Sequence, residues 1–223
     1  MGRHVVITGT NRGIGLELTK RFLANGDAVT ALCREPSDEL KKTDATIISE
    51  ADVSDFSSLQ KAASKVEGKV DILINNAGIM KDEKLENFGD QAFKSMQDQF
   101  RVNTLGPLKT FTAMRDKFNA GAKVAMITSR MGSIADNTSG GRYGYRMSKT
   151  ALNMAAASLA HDLRNQEVSV GIYHPGFVKT DMTGNNGNLT PAQAAENLFH
   201  RIQELNLERS GRFFHSNGEE LPW

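Results

Sequence analysis

The chain predicts a doubly wound α/β domain with a mainly parallel sheet of about seven strands flanked by helices, and three observations point there. Short apolar, β-branched runs alternate with longer amphipathic stretches along nearly all 223 residues. The first run passes through a glycine-rich turn into helical spacing. No internal repeat, linker or low-complexity tract breaks the order, so residues 1–223 are expected to form one domain.

Taken in order, His4–Thr8 is apolar and β-branched and reads as a buried strand. Thr8-Gly9-Thr10-Asn11-Arg12-Gly13-Ile14-Gly15 follows, and Ile14, Leu18 and Phe22 then recur at helical spacing up to a stop near Asn25-Gly26. Strand, glycine turn and helix together are what a Rossmann-like phosphate site requires. Glycines let the backbone approach a pyrophosphate, and the helix N-terminus offers N–H groups and a positive dipole. The spacing is G-x-x-x-G-x-G, and a ligand-free glycine turn is the competing reading. Residues 28–33 form the second strand, ending at Arg34. An acid there would accept from a ribose 2′-OH, whereas an arginine suits a 2′-phosphate. Arg12 and Arg34 therefore favour NADP(H), with NAD(H) still possible, and Glu35 pulls the other way.

Residues 45–49 read as strand three, followed by Asp52 and Val53, and 55–66 as an amphipathic helix. Strand four, 70–74, runs into Asn75-Asn76-Ala77-Gly78, two amides and two small residues that suit a cofactor contact or a plain polar turn. A polar loop over 81–90 precedes a helical stretch over 91–119 that contains Asn103, with a bend expected at Gly106-Pro107. Residues 122–128 are strand five, ending in Ser129, and a Gly/Ser/Asn-rich segment leads to Tyr145. An alanine-rich helix over 151–163, strand six over 168–173 and the segment Pro175-Gly176-Phe177-Val178-Lys179-Thr180-Asp181 come next. A helix over 191–205, capped by Thr190 with Pro191 in its first turn, and a seventh strand over 211–215 complete the chain.

A formal charge of +1 argues against nucleic acid or anionic membrane as a partner. The single Cys33 excludes an internal disulfide, and the five histidines are too scattered for metal-ligand spacing, so no metal is expected. With no export segment or membrane span in view, a cytoplasmic protein is the expectation.

Tyr145 and Lys149 are the chemically suggestive pair. Four residues apart on a helix, a phenol and an ammonium share one face. The ammonium favours the phenolate and should lower a pKa near 10, giving a proton donor and acceptor usable near neutral pH. The spacing alone is equally an ordinary surface pair; what matters is the order of the other motifs.

Thr8-Gly9-x-x-x-Gly13-x-Gly15, Asn75-Asn76-Ala77-Gly78, Asn103, Ser129, Tyr145-x-x-x-Lys149 and Pro175-Gly176, taken together, resemble the short-chain dehydrogenase/reductase family over roughly positions 4 to 181. The stretch 137–146 and the ending Gly218-Glu219-Glu220-Leu221-Pro222-Trp223 are similar to the sniffer-type carbonyl reductases and C-factor-like proteins of that family. The resemblance implies that Tyr145 exchanges a proton with the substrate oxygen and that Lys149 lowers its pKa and holds the nicotinamide ribose. It implies that Ser129 bonds the carbonyl and that Asn103 fixes a water relaying protons to Lys149. Gly9, Gly13, Ile14 and Gly15 would line the pyrophosphate, with Asn11 and Arg12 in the same loop; Asp52 and Val53 would meet the adenine. Asn75, Ala77 and Gly78 would lie on the adenosine side, and Pro175, Gly176, Val178 and Thr180 at the nicotinamide end. The implied activity is NADPH-dependent reduction of a small-molecule aldehyde, ketone or quinone by a homodimer or homotetramer. The C-factor likeness leaves open a dinucleotide-bound signalling protein whose turnover is incidental.

Two departures from the family pattern matter. Ser129 lies 16 residues before Tyr145 where 13 is usual, and Ser133, 12 before, is an alternative. Only 183–189 separates the nicotinamide segment from the last helix, which predicts an open site suited to exposed or bulky carbonyls.

Overall fold

The apolar runs become strands buried on both faces, as a parallel sheet demands. The computed structural model describes residues 2–223. Its strands are β1 (His4–Thr8), β2 (Ala28–Leu32), β3 (Thr46–Ile48), β4 (Val70–Asn75), β5 (Phe118–Ile127), β6 (Ser169–His174) and β7 (Phe213–His215). They pair in parallel throughout, in the order β3-β2-β1-β4-β5-β6-β7. The seven helices are α1 (Gly13–Ala24), α2 (Asp38–Lys41), α3 (Phe56–Ser64), α4 (Asp90–Phe100), α5 (Gly106–Met114), α6 (Tyr143–Asp162) and α7 (Pro191–Glu204).

Side chains alternate across the sheet and so feed two cores. Val5 and Ile7 of β1 face α1 and α7, where Leu18, Phe22, Leu198 and Phe199 close the layer and Phe22 meets Phe199 edge-on at 4.9 Å. Val6 faces the other way, toward Phe111 and Met114 of α5 and Leu152 and Ala156 of α6. Each fully buried Leu or Phe in these layers contributes about 1.5–3 kcal/mol. Thr190 caps α7 as expected: the Gln193 backbone N–H donates to its hydroxyl at 3.2 Å and the Gln193 side-chain Oε1 accepts from Thr190 N–H at 2.9 Å.

The structure departs from the sequence reading at four places, two of them simple: α2 has no counterpart in that reading, and α6 begins at Tyr143, eight residues before the expected 151. The helix expected to run to position 119 stops at Met114, and after the single 3₁₀ turn Arg115–Lys117 the chain enters β5 at Phe118. Phe118 stacks on Phe111 at 5.6 Å and pairs with Val70, so sheet pairing claims residues whose local pattern is helical. The bend expected at Gly106-Pro107 falls one turn earlier, as the π-helical stretch Arg101–Leu105. Pro107 then sits in the first turn of α5, where its missing N–H costs nothing. Among the described residues no helix is long and apolar enough to cross a membrane.

Candidate active site

The candidate site lies beyond the carboxyl ends of the strands, where the strand order reverses between β1 and β4. Its first half is made of backbone. Gly9 turns left-handed (φ +70°), and a Cβ there would stand 2.9 Å from Ala77 Cα. A Cβ on Gly15 would stand 2.1 Å from the Gly9 carbonyl oxygen, so no side chain fits. Thr8 and Asn76 zip the two loops together. Asn76 Nδ2 donates to the Thr8 and Gly9 carbonyls at 3.0 and 3.1 Å, and Thr8 Oγ1 accepts from the Asn76 and Ala77 N–H groups, each at 3.1 Å.

Arg12 precedes α1 in extended backbone without capping it, and the first turn holds no acid. The helix thus presents uncapped N–H groups and its positive end to the glycine cradle, which fits a dinucleotide pyrophosphate. Ile14 packs onto the α1 side of the sheet, and Asn75, carrying a buried side-chain carbonyl oxygen that accepts no hydrogen bond, ends β4.

Arg34, Asp52 and Val53 are the residues expected on the adenosine side. Burial pushes the Asp52 carboxyl up, but hydrogen bonds from Ser54 (N–H to Oδ1, 2.8 Å) and the charges of Arg34 and Arg101 outweigh it and hold the group below its usual range. Val53 is buried against Gly106 at the start of α5. Of the two arginines expected at a 2′-phosphate, Arg34 is exposed at the end of β2, whereas Arg12 is ion-paired to Asp181 at 2.7 Å.

The second half is made of buried side chains. Asn103 sits in the π-helical stretch, fully buried, and clamps the loop after β4: its Oδ1 accepts from Ile79 N–H and its Nδ2 donates to the Ile79 carbonyl, both at 2.8 Å. Its Nδ2 also reaches Ser148 Oγ at 3.0 Å, tying α4 to α6. A Cβ on Gly78 would lie 3.2 Å from Asn103 Oδ1 and 3.7 Å from Lys149 Nζ, which places these three groups together. Widened helical turns of this kind are frequent at functional sites.

Ser129 lies two residues beyond β5 and caps the 3₁₀ turn Arg130–Gly132, with Met131 N–H donating to its Oγ at 3.1 Å. Its hydroxyl faces the Tyr145 phenol and draws that pKa down. Ser133 instead accepts from Asp136 N–H at 3.1 Å, within its own loop. The turn reaches α6 because Gly132 lies against Lys149, where a Cβ would meet the Lys149 carbonyl carbon at 2.8 Å.

Tyr145 and Lys149 do share one face of α6, and both are buried. The expected lowering of the Tyr145 pKa does not follow. Burial pushes the phenol above its ordinary value, more than Ser129 and Arg142 pull it back. Lys149 Nζ donates to the Ile127 carbonyl at 2.9 Å and stands 5.9 Å from the phenol ring centre, so its pull on the hydroxyl is weak. Burial also pushes the Lys149 ammonium down, to about 8.

The segment expected at the nicotinamide end leaves β6 through Pro175, whose carbonyl accepts from Ser216 Oγ at 3.0 Å, and Gly176, left-handed at φ +93°. Val178 is buried and bridges to Leu189, while the Thr180 N–H donates to Thr183 Oγ1 at 3.1 Å. Between Val178 and α7 the link contains one 3₁₀ turn, Asp181–Thr183, and no lid helix. The glycine loop and the Asn75–Gly78 loop thus lie together, with Asn103 and Lys149 against Gly78 and Ser129 facing Tyr145. Sequence reasoning assigned no role to Thr8, Asn76, Ile79 or Ser148. Asn76 and Thr8 carried a signal, each standing in a quoted motif without a role of its own; Ile79 and Ser148 carried none.

A family model described as short chain dehydrogenase matches residues 3–189. The chain is 38% identical over 226 residues to a 1-hydroxy-2-glutathionyl-2-methyl-3-butene dehydrogenase from Rhodococcus sp. (strain AD45), covering 98% of this chain and 99% of that protein. It is 46% identical over 158 residues to C-signal from Myxococcus xanthus, covering 70% of this chain and 94% of that one. Among solved structures, an NADPH-bound carbonyl reductase from chicken fatty liver superposes with TM-score 0.91 at 30% identity, over 100% of this chain and 99% of that one. The carbonyl reductase Sniffer of D. melanogaster superposes with TM-score 0.92 at 29% identity over the whole of both chains.

Proposed function

The chain belongs to the short-chain dehydrogenase family, and on that premise we propose that it is an NADPH-dependent reductase of aldehydes, ketones or quinones. The observation that carries this reading is the convergence of Asn103, Ser129, Tyr145 and Lys149 beside a backbone cradle shaped for a pyrophosphate. A bound nicotinamide dinucleotide supplies the hydride. The protein's own work is placement and proton transfer. Ser129 Oγ and the Tyr145 hydroxyl, which face each other, would receive a carbonyl oxygen as it develops charge, and the phenol, held protonated by burial, donates the proton. Lys149, through its ammonium, holds the nicotinamide ribose, and Asn103 fixes the path by which Lys149 is resupplied with protons. Gly9 to Gly15 take the pyrophosphate, Arg34 a 2′-phosphate, and Pro175 to Thr180 the nicotinamide end. The preference for NADPH is supported by the exposed Arg34 and by the NADPH in the chicken carbonyl reductase. The short link before α7 leaves room for bulky carbonyls.

The test is Tyr145→Phe. It keeps the ring and the fold, NADPH affinity should hold, and turnover against a carbonyl panel should fall by ~10²–10⁴. Reduction at the wild-type rate would defeat the proposal. A second reading, a dinucleotide-bound signalling protein, is favoured by the likeness to C-signal. It gains if the organism's phenotype survives Tyr145→Phe but not a cofactor-site change such as Gly13→Asp. We also propose a homodimer or homotetramer, because Phe93 and Phe100 of α4 and Met147 and Met154 of α6 stand 40–69% exposed on neighbouring helices.

A further inference from the structure

We propose that Glu83 is a positioning residue for Tyr145, supplying from the loop after β4 the N-terminal cap that helix α6 lacks. The inference rests on the catalytic reading of Tyr145 given above. The first N–H groups of a helix have no partner within it and need one from outside. Here the preceding residue, Arg142, is left-handed (φ 50°, ψ 46°), makes no side-chain cap, and the first turn holds no acid. What meets the Gly144 N–H is Glu83 Oε2, 3.2 Å away and 61 positions distant in sequence. Tyr145 is the next residue along.

Glu83 is only 5% exposed, and its other oxygen accepts from Ser95 Oγ at 2.6 Å and from Gln99 Nε2. Burying a carboxylate in this way is tolerated only with its acceptor sites filled, and a helix N-terminus is where its charge is favoured. The backbone repeats the tie: Arg142 N–H donates to the Glu83 carbonyl at 3.1 Å.

The partners have a pattern. Ser95, Gln99 and Asn103 follow at four-residue intervals along one face of α4 and its π-helical extension, and each holds the same loop. Asn103 grips Ile79, Gln99 Oε1 accepts from Lys81 N–H at 2.9 Å, and Ser95 and Gln99 grip Glu83. From this loop Glu83 passes its side chain on to the Gly144 N–H of α6. The seat has no slack, since a Cβ on Gly144 would stand 2.5 Å from Gln99 Nε2 and 2.9 Å from Met96 Cα. A shift at the first turn of α6 therefore moves Tyr145 against Ser129, and small misplacements of a reacting group are costly.

The experiment is Glu83→Gln, which keeps the size but turns one acceptor oxygen into a donor facing other donors. Turnover per NADPH-binding site, KM for NADPH and Tm are measured beside wild type and Tyr145→Phe. Turnover per site should fall about tenfold with KM for NADPH within about twofold. A merely structural role would lower Tm and leave turnover per site unchanged, and that result overturns the proposal. Should Glu83→Gln not fold, Glu83→Asp, one methylene short of Gly144, reads the same split. If Tyr145→Phe loses turnover while the Glu83 variants keep it, only the positioning role is lost. If Tyr145→Phe keeps turnover, the catalytic reading fails and this one with it.

Discussion

The two halves of the candidate site are built from different materials. The half proposed to hold the nucleotide is backbone: Gly9, Gly13 and Gly15, a bare helix end, and Asn76 tying carbonyl groups together. The half proposed as catalytic is buried polar side chains, Asn103, Ser129, Tyr145 and Lys149; Asn103 is held by Ile79 and Lys149 by Ile127, both distant in sequence, whereas Ser129 accepts from Met131 N–H two residues on. A backbone site fails by steric intrusion and loses ligand. A side-chain site fails by loss of a partner or of a charge state and loses rate.

That contrast can be broken most severely at Tyr145, where the phenylalanine variant should cut kcat by ~10²–10⁴ and leave KM for NADPH near wild type. Next comes Gly15→Ala. Its methyl would overlap the Gly9 carbonyl oxygen, costing about 1–3 kcal/mol, read as a raised Kd for NADPH by fluorescence titration and a lower Tm. If Gly15→Ala changed kcat but not Kd, the division between the halves would be wrong.

A pH series sharpens the comparison. Lys149 is pushed down to about 8 by burial, so its charge is present below that pH and is lost as pH rises through it. The phenol, pushed up, stays protonated through the same window. Reduction should therefore hold steady through neutral pH and decline along a one-proton limb near 8, while NADPH binding by the glycine cradle changes little there. A limb on the acid side of neutrality would contradict this order of titration. The smallest effect is expected from Asp181→Asn. Both partners of the Arg12–Asp181 pair are well exposed, so its loss should cost under about 1 kcal/mol of stability. By releasing Arg12 it should, if anything, tighten NADPH relative to NADH; a clear loss of NADPH affinity would show that the pair itself shapes the pocket.

Much of this was legible in the residues. Period-two and continuous apolar runs marked all seven strands within a few positions, apart from the early entry into β5. The four-residue spacing placed Tyr145 beside Lys149. What escaped was pairing. Nothing near Phe118 says that it will stack on Phe111 and join Val70, and nothing near Gly106 says that the helix widens one turn earlier at Asn103. The direction of the Tyr145 shift was also missed, because the spacing reports a neighbouring charge but not the burial that outweighs it.

By itself, then, the sequence determined the alternation of strands and helices, the glycine turn that opens α1, and the shared face of Tyr145 and Lys149. Each depends on backbone preferences or side-chain periods acting over one or two turns. Tertiary structure alone decided that Arg12 meets Asp181, that Ser129 rather than Ser133 stands at the phenol, that Glu83 caps α6, and which way two buried pKa values move. Hydrogen-bond partners and desolvation are set by groups tens of residues away, and only folding brings those within reach.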